Sequence, residues 1–421
     1  LLISTGSRYF DASLAWRLSE KTGVNAVAVL GNDGYCRNFS TGAVALNTKI
    51  YGITDEFFRF HKTELAELEN GKIYINERLS KILGANEDDE VIITFSEVDP
   101  IPSNAPFAPS GGNEQSRVFK IASVLSGSQT GNFSLGTSQV IPGNIFVRLD
   151  DLDAVSREKP NVNRLLVRNE INQDISFFKN SLKEILNPSD IGLSIRISAK
   201  TGESEIISNR IFIDGEIADE IINRIPEATP VLTYLANSFS LAGKTTPYSF
   251  ISALPEPMSG LPSVDEIMIN SWLADDLEAK PGDSLLLTWY DPGMGNLLEE
   301  KSKTFFIKGI AGNDFLYSDP SLMPDFPGIS GSATCSGWDA GVPILLESIR
   351  EKDEEYWNIH RGTPKAFINY GTGKELWGNN FGSATSIRCP EGVDTSLIAK
   401  RLTGAIDPLK AGSTFTDLRD K

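Results

Sequence analysis

Histidine is nearly missing. His61 and His360 are the two present, neither has a second His at a metal-binding spacing, and most schemes that need a general base near neutral pH are thereby excluded. Cysteine is almost as rare. Cys36, Cys335 and Cys389 cannot make a disulfide framework, and no two stand at the C-x-x-C spacing of a zinc or redox site, although one bridge stays open. Basic residues are outnumbered, 39 against 56 acidic, for a net charge of −17. No stretch gathers Lys and Arg into a patch that could neutralise a row of phosphates, which excludes nucleic acid as a partner. Long apolar runs are also lacking. The longest, Val91–Phe95 and Leu285–Trp289, fall far short of the roughly 18 to 20 residues that a membrane-crossing helix needs. The sequence opens at Leu1 without an initiator Met, so a signal or anchor is expected upstream of it.

What is present is the composition of a folded chain: 40% hydrophobic, 23% charged, with 36 Gly and 22 Pro spread without period over 421 residues. At roughly 150 residues per domain, two or three domains are expected. Fragments of known motifs fail on inspection. Tyr370-Gly371-Thr372-Gly373-Lys374-Glu375 resembles a phosphate loop, but Ile368 stands where the first Gly belongs and Glu375 where Ser or Thr belongs. Gly328-Ile329-Ser330-Gly331-Ser332 lacks the last Gly of a nucleophile elbow and follows Pro327, so a flexible loop is expected there. The adjacent acids Asp88-Asp89 and Asp275-Asp276 diverge on a helix and fit no EF-hand, which leaves solvated surface charge as their expected role. No catalytic, cofactor-binding or metal-binding residue is assigned.

The informative feature is an internal duplication. Ile73-Tyr74-Ile75-Asn76-Glu77-Arg78-Leu79-Ser80 aligns without gaps to Ile267-Met268-Ile269-Asn270-Ser271-Trp272-Leu273-Ala274, and the match runs on through Leu83/Leu277, Ala85/Ala279, Asp89/Asp283 and Thr94/Thr288. Each copy predicts a short strand, an Asn that caps the next helix, an apolar stripe (Leu79, Ile82, Leu83; Leu273, Leu277), a polar turn and a second strand. Further strands are expected at Lys120–Val124 and Phe306–Ile310, at Phe146-Val147 and Phe367-Ile368, and, more weakly, at Ala26–Leu30 and Val231–Leu235 with Ile50–Ile53 and Ile251–Leu254. A last block pairs Val167-Arg168 with Ile387-Arg388 and Asp174 with Asp394. Each is followed by a helix, striped by Ile175, Phe178, Leu182 and Ile185 or by Leu397, Ile398 and Leu402, running toward Asn187-Pro188 or Asp407-Pro408. The expected fold is therefore α+β, with two tandem mixed α/β units at about 1–192 and 193–421.

The two strand–helix–strand blocks, together with Tyr356-Trp357-Asn358-Ile359-His360-Arg361-Gly362-Thr363-Pro364-Lys365-Ala366-Phe367 and Leu376-Trp377-Gly378, resemble the extracytoplasmic (MacB-like periplasmic core) domain of FtsX/MacB-type ABC transporter permeases. The likeness extends over most of the chain, from Ser13-Leu14 to the last helix. It implies a membrane-proximal, porter-like part (1–62 with 163–260 and 383–421) and two inserted lobes (63–162 and 261–382). It also implies anchorage at the periplasmic face of the inner membrane by helices outside this chain, a separate cytoplasmic ATPase subunit, and an envelope protein or a lipid or peptide as partner or substrate. Such domains have no catalytic residues and no cofactor; they pass ATP-driven motion outward. The doubling departs from single-unit members, and two units in one chain could imitate the face that smaller members form by dimerising. Two other classes stay open: a free-standing envelope protein binding a ligand in a cleft between two α/β lobes, and an enzyme working with carboxylates alone.

The second copy is also longer between its matched strands, from Ile310 to Phe367 against Val124 to Phe146 in the first. The extra stretch holds Pro320, Pro324, Pro327 and Trp338-Asp339. A helix is expected from Leu345 to about His360, with Leu345, Ile349, Tyr356 and Ile359 as an apolar stripe, Arg350 to Glu355 as a solvated face, and His360 near its end at a cap or on the surface. Trp338, Tyr356 and Trp357 either pack this helix on its own lobe or act as anchors for a partner.

Overall fold

The computed structural model describes residues 1–6, 8–108, 114–135, 141–152, 160–255, 263–291, 298–312 and 317–418. The first repeat runs β1 (Leu2–Ser4), β2 (Phe10–Asp11), α1 (Ser13–Thr22), β3 (Ala26–Asn38), β4 (Val44–Ile53), α2 (Glu56–Phe60), β5 (Lys72–Asn76), α3 (Glu77–Leu83), β6 (Glu90–Ser96), β7 (Glu114–Leu125), β8 (Gly143–Arg148), α4 (Leu149–Leu152), β9 (Asn161–Val162), β10 (Arg164–Val167) and α5 (Ile175–Ile185). β11 (Leu193–Ile197) ends the first repeat, and the second runs β12 (Ser204–Ser208), α6 (Gly215–Arg224), β13 (Thr229–Leu241), β14 (Lys244–Leu254), β15 (Glu266–Asn270), α7 (Ser271–Leu277), β16 (Ser284–Asp291), β17 (Glu299–Ala311), α8 (Pro327–Ser330), α9 (Glu351–His360), β18 (Ala366–Asn369), α10 (Tyr370–Trp377), β19 (Ser386–Cys389), α11 (Thr395–Leu402) and β20 (Thr414–Thr416). No described helix is long and apolar enough to cross a membrane.

Each repeat builds one mixed sheet. Six strands close on themselves in the order β3-β4-β8-β5-β7-β6 and back to β3, and likewise β13-β14-β18-β15-β17-β16 and back to β13. The closing contacts pair Gly34–Asn38 with Val91–Phe95 and Ser238–Ser240 with Leu286–Thr288. Closure removes the free edges that a short mixed sheet would otherwise expose. The duplication extends to an irregularity: the parallel pairing of β5 with β7 slips between Ile73 and Tyr74, and that of β15 with β17 slips between Ile267 and Met268.

The helix inside each repeated block forms for the expected reason. The Asn76 and Asn270 side chains accept from the amides of Leu79 and Leu273, and Leu79, Leu83, Leu273 and Leu277 are buried. Ile82 departs from the expected stripe and faces solvent, as do Ile175 of α5 and Leu397 of α11. Both helices also stop before the expected prolines, at Ile185 and Leu402. The strands begun at Ala26 and Val231 run on well past Leu30 and Leu235. Their polar second halves are held by hairpin and barrel-closing hydrogen bonds rather than by apolar alternation.

Outside each barrel the sheet continues through β10, β1 and β20 in one case and through β19, β12 and β11 in the other. Here the repeats trade strands. β11 follows the first repeat's α5 yet pairs with β12, and β20 follows the second repeat's α11 yet pairs with β1. The compact units reflect this: one comprises Leu1–Pro100, Gly112–Ile191 and Ile406–Lys421, the other Ile101–Gly111 and Gly192–Ala405. The lobe boundary expected at 260 and 261 lies outside the described residues.

Candidate functional site: the surface insertion of the second repeat

Between β17 and β18 the second repeat carries residues 312–365, where the first has only 126–142 between β7 and β8. The insertion is fastened to its unit by aromatic packing. Trp338 meets Trp357 edge-on at 4.9 Å and Phe250 at 6.0 Å, while the Trp357 indole N–H donates to the Ser332 carbonyl at 3.1 Å. Tyr356 Oη accepts from Asn270 Nδ2 at 2.9 Å and donates to the Thr363 carbonyl at 3.1 Å. All three aromatic side chains are buried, so Trp338, Tyr356 and Trp357 are packing residues and not surface anchors. Among the described residues of the insertion the exposed large hydrophobics are Leu345, Leu346 and Ile359, the last at 74%.

The helix expected from Leu345 begins instead at Glu351. Residues Leu346–Ser348 form a separate tight turn, and Arg350 is extended, with its amide and guanidinium both bonded to the Asp353 carboxylate. The expected solvated face is only partly so. Asp353 is buried, and Arg350 reaches the Asp276 carboxylate at 2.7 Å. Asp276 was expected to be surface charge, but its side chain is 1% exposed and also receives Lys352 and the Thr246 hydroxyl. Burial pushes the Asp276 carboxyl up, and the bonds from Arg350, Lys352 and Thr246 outweigh this and hold it at about 2.

Lys365 sits below this cluster. Its ammonium lies 3.7 Å from the Trp272 ring centre, 4.5 Å from that of Tyr356 and 3.7 Å from Asp353. Burial drives its pKa down to about 8 against the opposing pull of Asp353 and Asp276. Cys335 and Ser336 donate their amides to Glu354, which ties the Cys335–Gly337 turn to α9. Burial, helped by Glu354, raises the Cys335 thiol to about 12. All three cysteines are buried and free. His360 closes α9 on the surface, where its carbonyl accepts from Thr363.

A second buried cluster fixes the start of the insertion. Arg388 of β19 donates to Glu205 at 2.6 Å, Asp319 at 2.7 Å and Glu203 at 3.2 Å, and Ser321 bridges Glu205 and Asp319. These charges support one another inside the fold. They offer a carbonyl or phosphoryl substrate no open position, because each inward carboxylate is already capped by a cation or a hydroxyl. Among the described residues no group of three or more His, Cys, Asp or Glu side chains is placed to hold a metal ion.

Sequence reasoning missed Asp276, Arg350, Lys365 and Arg388. A signal was present for two of them: Arg388 interrupts the buried run Ser386–Cys389, and Lys365 directly precedes Ala366-Phe367.

Several solved structures are similar to this chain, two of them as follows. The periplasmic region of MacB from Actinobacillus actinomycetemcomitans aligns at 14% identity and a TM-score of 0.29, covering 44% of this chain and 80% of that one. The extracellular domain of the noncanonic ABC-type transporter YknZ from Gram-positive bacteria aligns at 11% and 0.28, covering 44% of this chain and 90% of that one. No family model matches the chain, and no curated protein matches it.

Proposed function

We propose that this chain is an extracytoplasmic domain of an ABC transporter permease. It passes motion driven by a separate cytoplasmic ATPase to an envelope protein or to a lipid or peptide substrate, and catalyses nothing itself. The observation that carries the reading is the pairing of the first strand with the last: Leu2 lies opposite Thr416 in antiparallel register, with Ser4 opposite Thr414. A chain continued beyond both ends would leave the sheet side by side, as a domain set between two neighbouring membrane helices must. The division into a membrane-proximal part and two inserted lobes belongs to the same proposal. The insertion, with Leu345, Leu346 and Ile359 outward, is its partner-facing surface.

Ile359→Cys in the full-length protein tests the placement, since the native cysteines are buried. A membrane-impermeant maleimide should label it in spheroplasts before lysis, and the protein should stay with membranes through a carbonate wash. Release into the soluble fraction, or labelling only after lysis, would overturn the proposal.

A further inference from the structure

A second feature, in the first unit and independent of the transport reading, is built around Arg164. Asn163, just before β10, sends its side-chain amide to the backbone of Gly31 in both directions: Gly31 N–H donates to Oδ1 at 2.9 Å, and Nδ2 donates to the Gly31 carbonyl at 2.9 Å. The amide thus continues the β10–β3 ladder one step beyond Arg164↔Val29. Arg164 then folds its guanidinium over the strand so closely that a Cβ on residue 31 would fall 1.1 Å from Nη1. Residue 31 has no left-handed backbone to explain a glycine. The space for the guanidinium explains it.

That guanidinium lines a cavity of about 440 Å³ with Lys49, Tyr51, Leu2, Leu135 and Pro142 among its walls. Among the described residues it donates to the side-chain Oδ1 of Asn163, at 3.4 Å, and no carboxylate pairs with it. Asp33, whose field reaches it, is exposed and tied to Lys49. A half-buried cation facing a cavity without a counter-ion is costly in an otherwise well-satisfied fold.

We propose that this cavity binds a small organic carboxylate, its two oxygens on the Arg164 fork and its apolar part against Leu2, Leu135 and Pro142. The charge count selects a monoanion: Arg164 and Lys49 contribute two positive charges and Asp33 one negative. A planar carboxylate also matches the guanidinium geometry in a bidentate pair, which a dianionic phosphate would leave over-charged.

The test uses the whole 421-residue chain with octanoate, octanol and inorganic phosphate as probes, by calorimetry and by the arginine Nε–Hε resonances. The Arg164 resonance is assigned from its loss in Arg164→Lys. Octanoate should bind one to one at millimolar concentration or below and shift that resonance, octanol should not bind, and phosphate should bind more weakly than octanoate. Arg164→Gln should weaken octanoate by at least about tenfold. Gly31→Ala should weaken it as well, because the added methyl displaces the guanidinium. Equal binding of octanol, stronger binding of phosphate, an unmoved Arg164 resonance or unchanged affinity in Arg164→Gln would each overturn the assignment. Should a variant fail to fold, the octanol and phosphate comparisons on the wild-type chain decide.

Discussion

A methyl group added at Gly143 should repair part of the damage done by truncating Leu79. Leu79 is fully buried on α3, and a Cβ on Gly143 of β8 would stand 3.2 Å from its Cδ1. In the native barrel that approach is too tight, so Gly143→Ala alone should cost about 1 kcal/mol through overpacking. Leu79→Ala alone removes a buried side chain and leaves a cavity, for a loss of about 3 kcal/mol. In the double variant the new methyl occupies vacated space, where each buried methyl returns about 0.8 kcal/mol. The pair should then cost about 2 kcal/mol where simple addition gives about 4, a coupling of about 2 kcal/mol. Urea unfolding of the four proteins by far-UV circular dichroism measures it, taking the transition displaced in Leu79→Ala as that of the first unit and requiring a constant slope. Costs that add to within about 0.5 kcal/mol would refute the packing argument.

His61 lies among Phe57, Phe60 and Phe133, and burial, aided by Arg168, lowers its pKa to about 4. The unfolded chain takes up this proton near pH 6.5 and the folded one only near 4. Stability should therefore be intact above pH 6.5 and fall as pH drops toward 4, by about 1 to 2 kcal/mol after allowing for the partial solvation of the ring; His61→Phe should flatten that loss in urea melts taken between those values. Asp276 has the opposite character, a carboxylate held down at about 2. Its stabilisation is present above pH 3.8 and is lost as pH falls through 3.8 toward 2. Asp276→Asn should cost about 1 to 2 kcal/mol at pH 7, reduced from the full shift because Arg350 and Lys352 are partly solvated, and the gap from wild type should close in acid. Asn270→Ala should cost about 1 to 2 kcal/mol, as a lost cap together with a lost bond to Tyr356 Oη. Asn76→Ala should cost more by thermal melt, since Asn76 also accepts from the Asn144 amide and donates to the Pro142 carbonyl.

The repeated block was legible because its cues are local. Asn76 and Asn270 announce a helix start, leucines three and seven residues on mark its inner face, and short apolar runs flank it. Barrel closure was not legible. The strand expected at Ala26–Leu30 continues through Gly31, Asn32, Asp33 and Gly34, because hydrogen bonds from β4, and from β6 at Gly34, hold them extended. The charged clusters were hidden for a related reason. Asp275-Asp276 and the run from Arg350 to Glu355 look like ordinary surface sequence, and only the distant neighbours Thr246 and Lys365 turn half of each inward. The aromatics of the insertion were legible as residues of consequence but not in role. Tyr356 and Trp357 are consecutive, and that both are buried follows from Asn270 and Ser332, which approach from outside the helix.

The traded outer strands bear on how such a polypeptide could have arisen and how it can be divided. Residues 1–197 produced alone would carry β11 with no β12 to receive it, and would lack the β20 that lies against β1. Two such halves could satisfy each other only by mutual exchange, at a rate and extent that depend on dilution. Written as one gene, the same exchange becomes intramolecular, and the complementary strand is always at hand at the local concentration that the covalent link imposes. Its assembly is thereby freed from expression level.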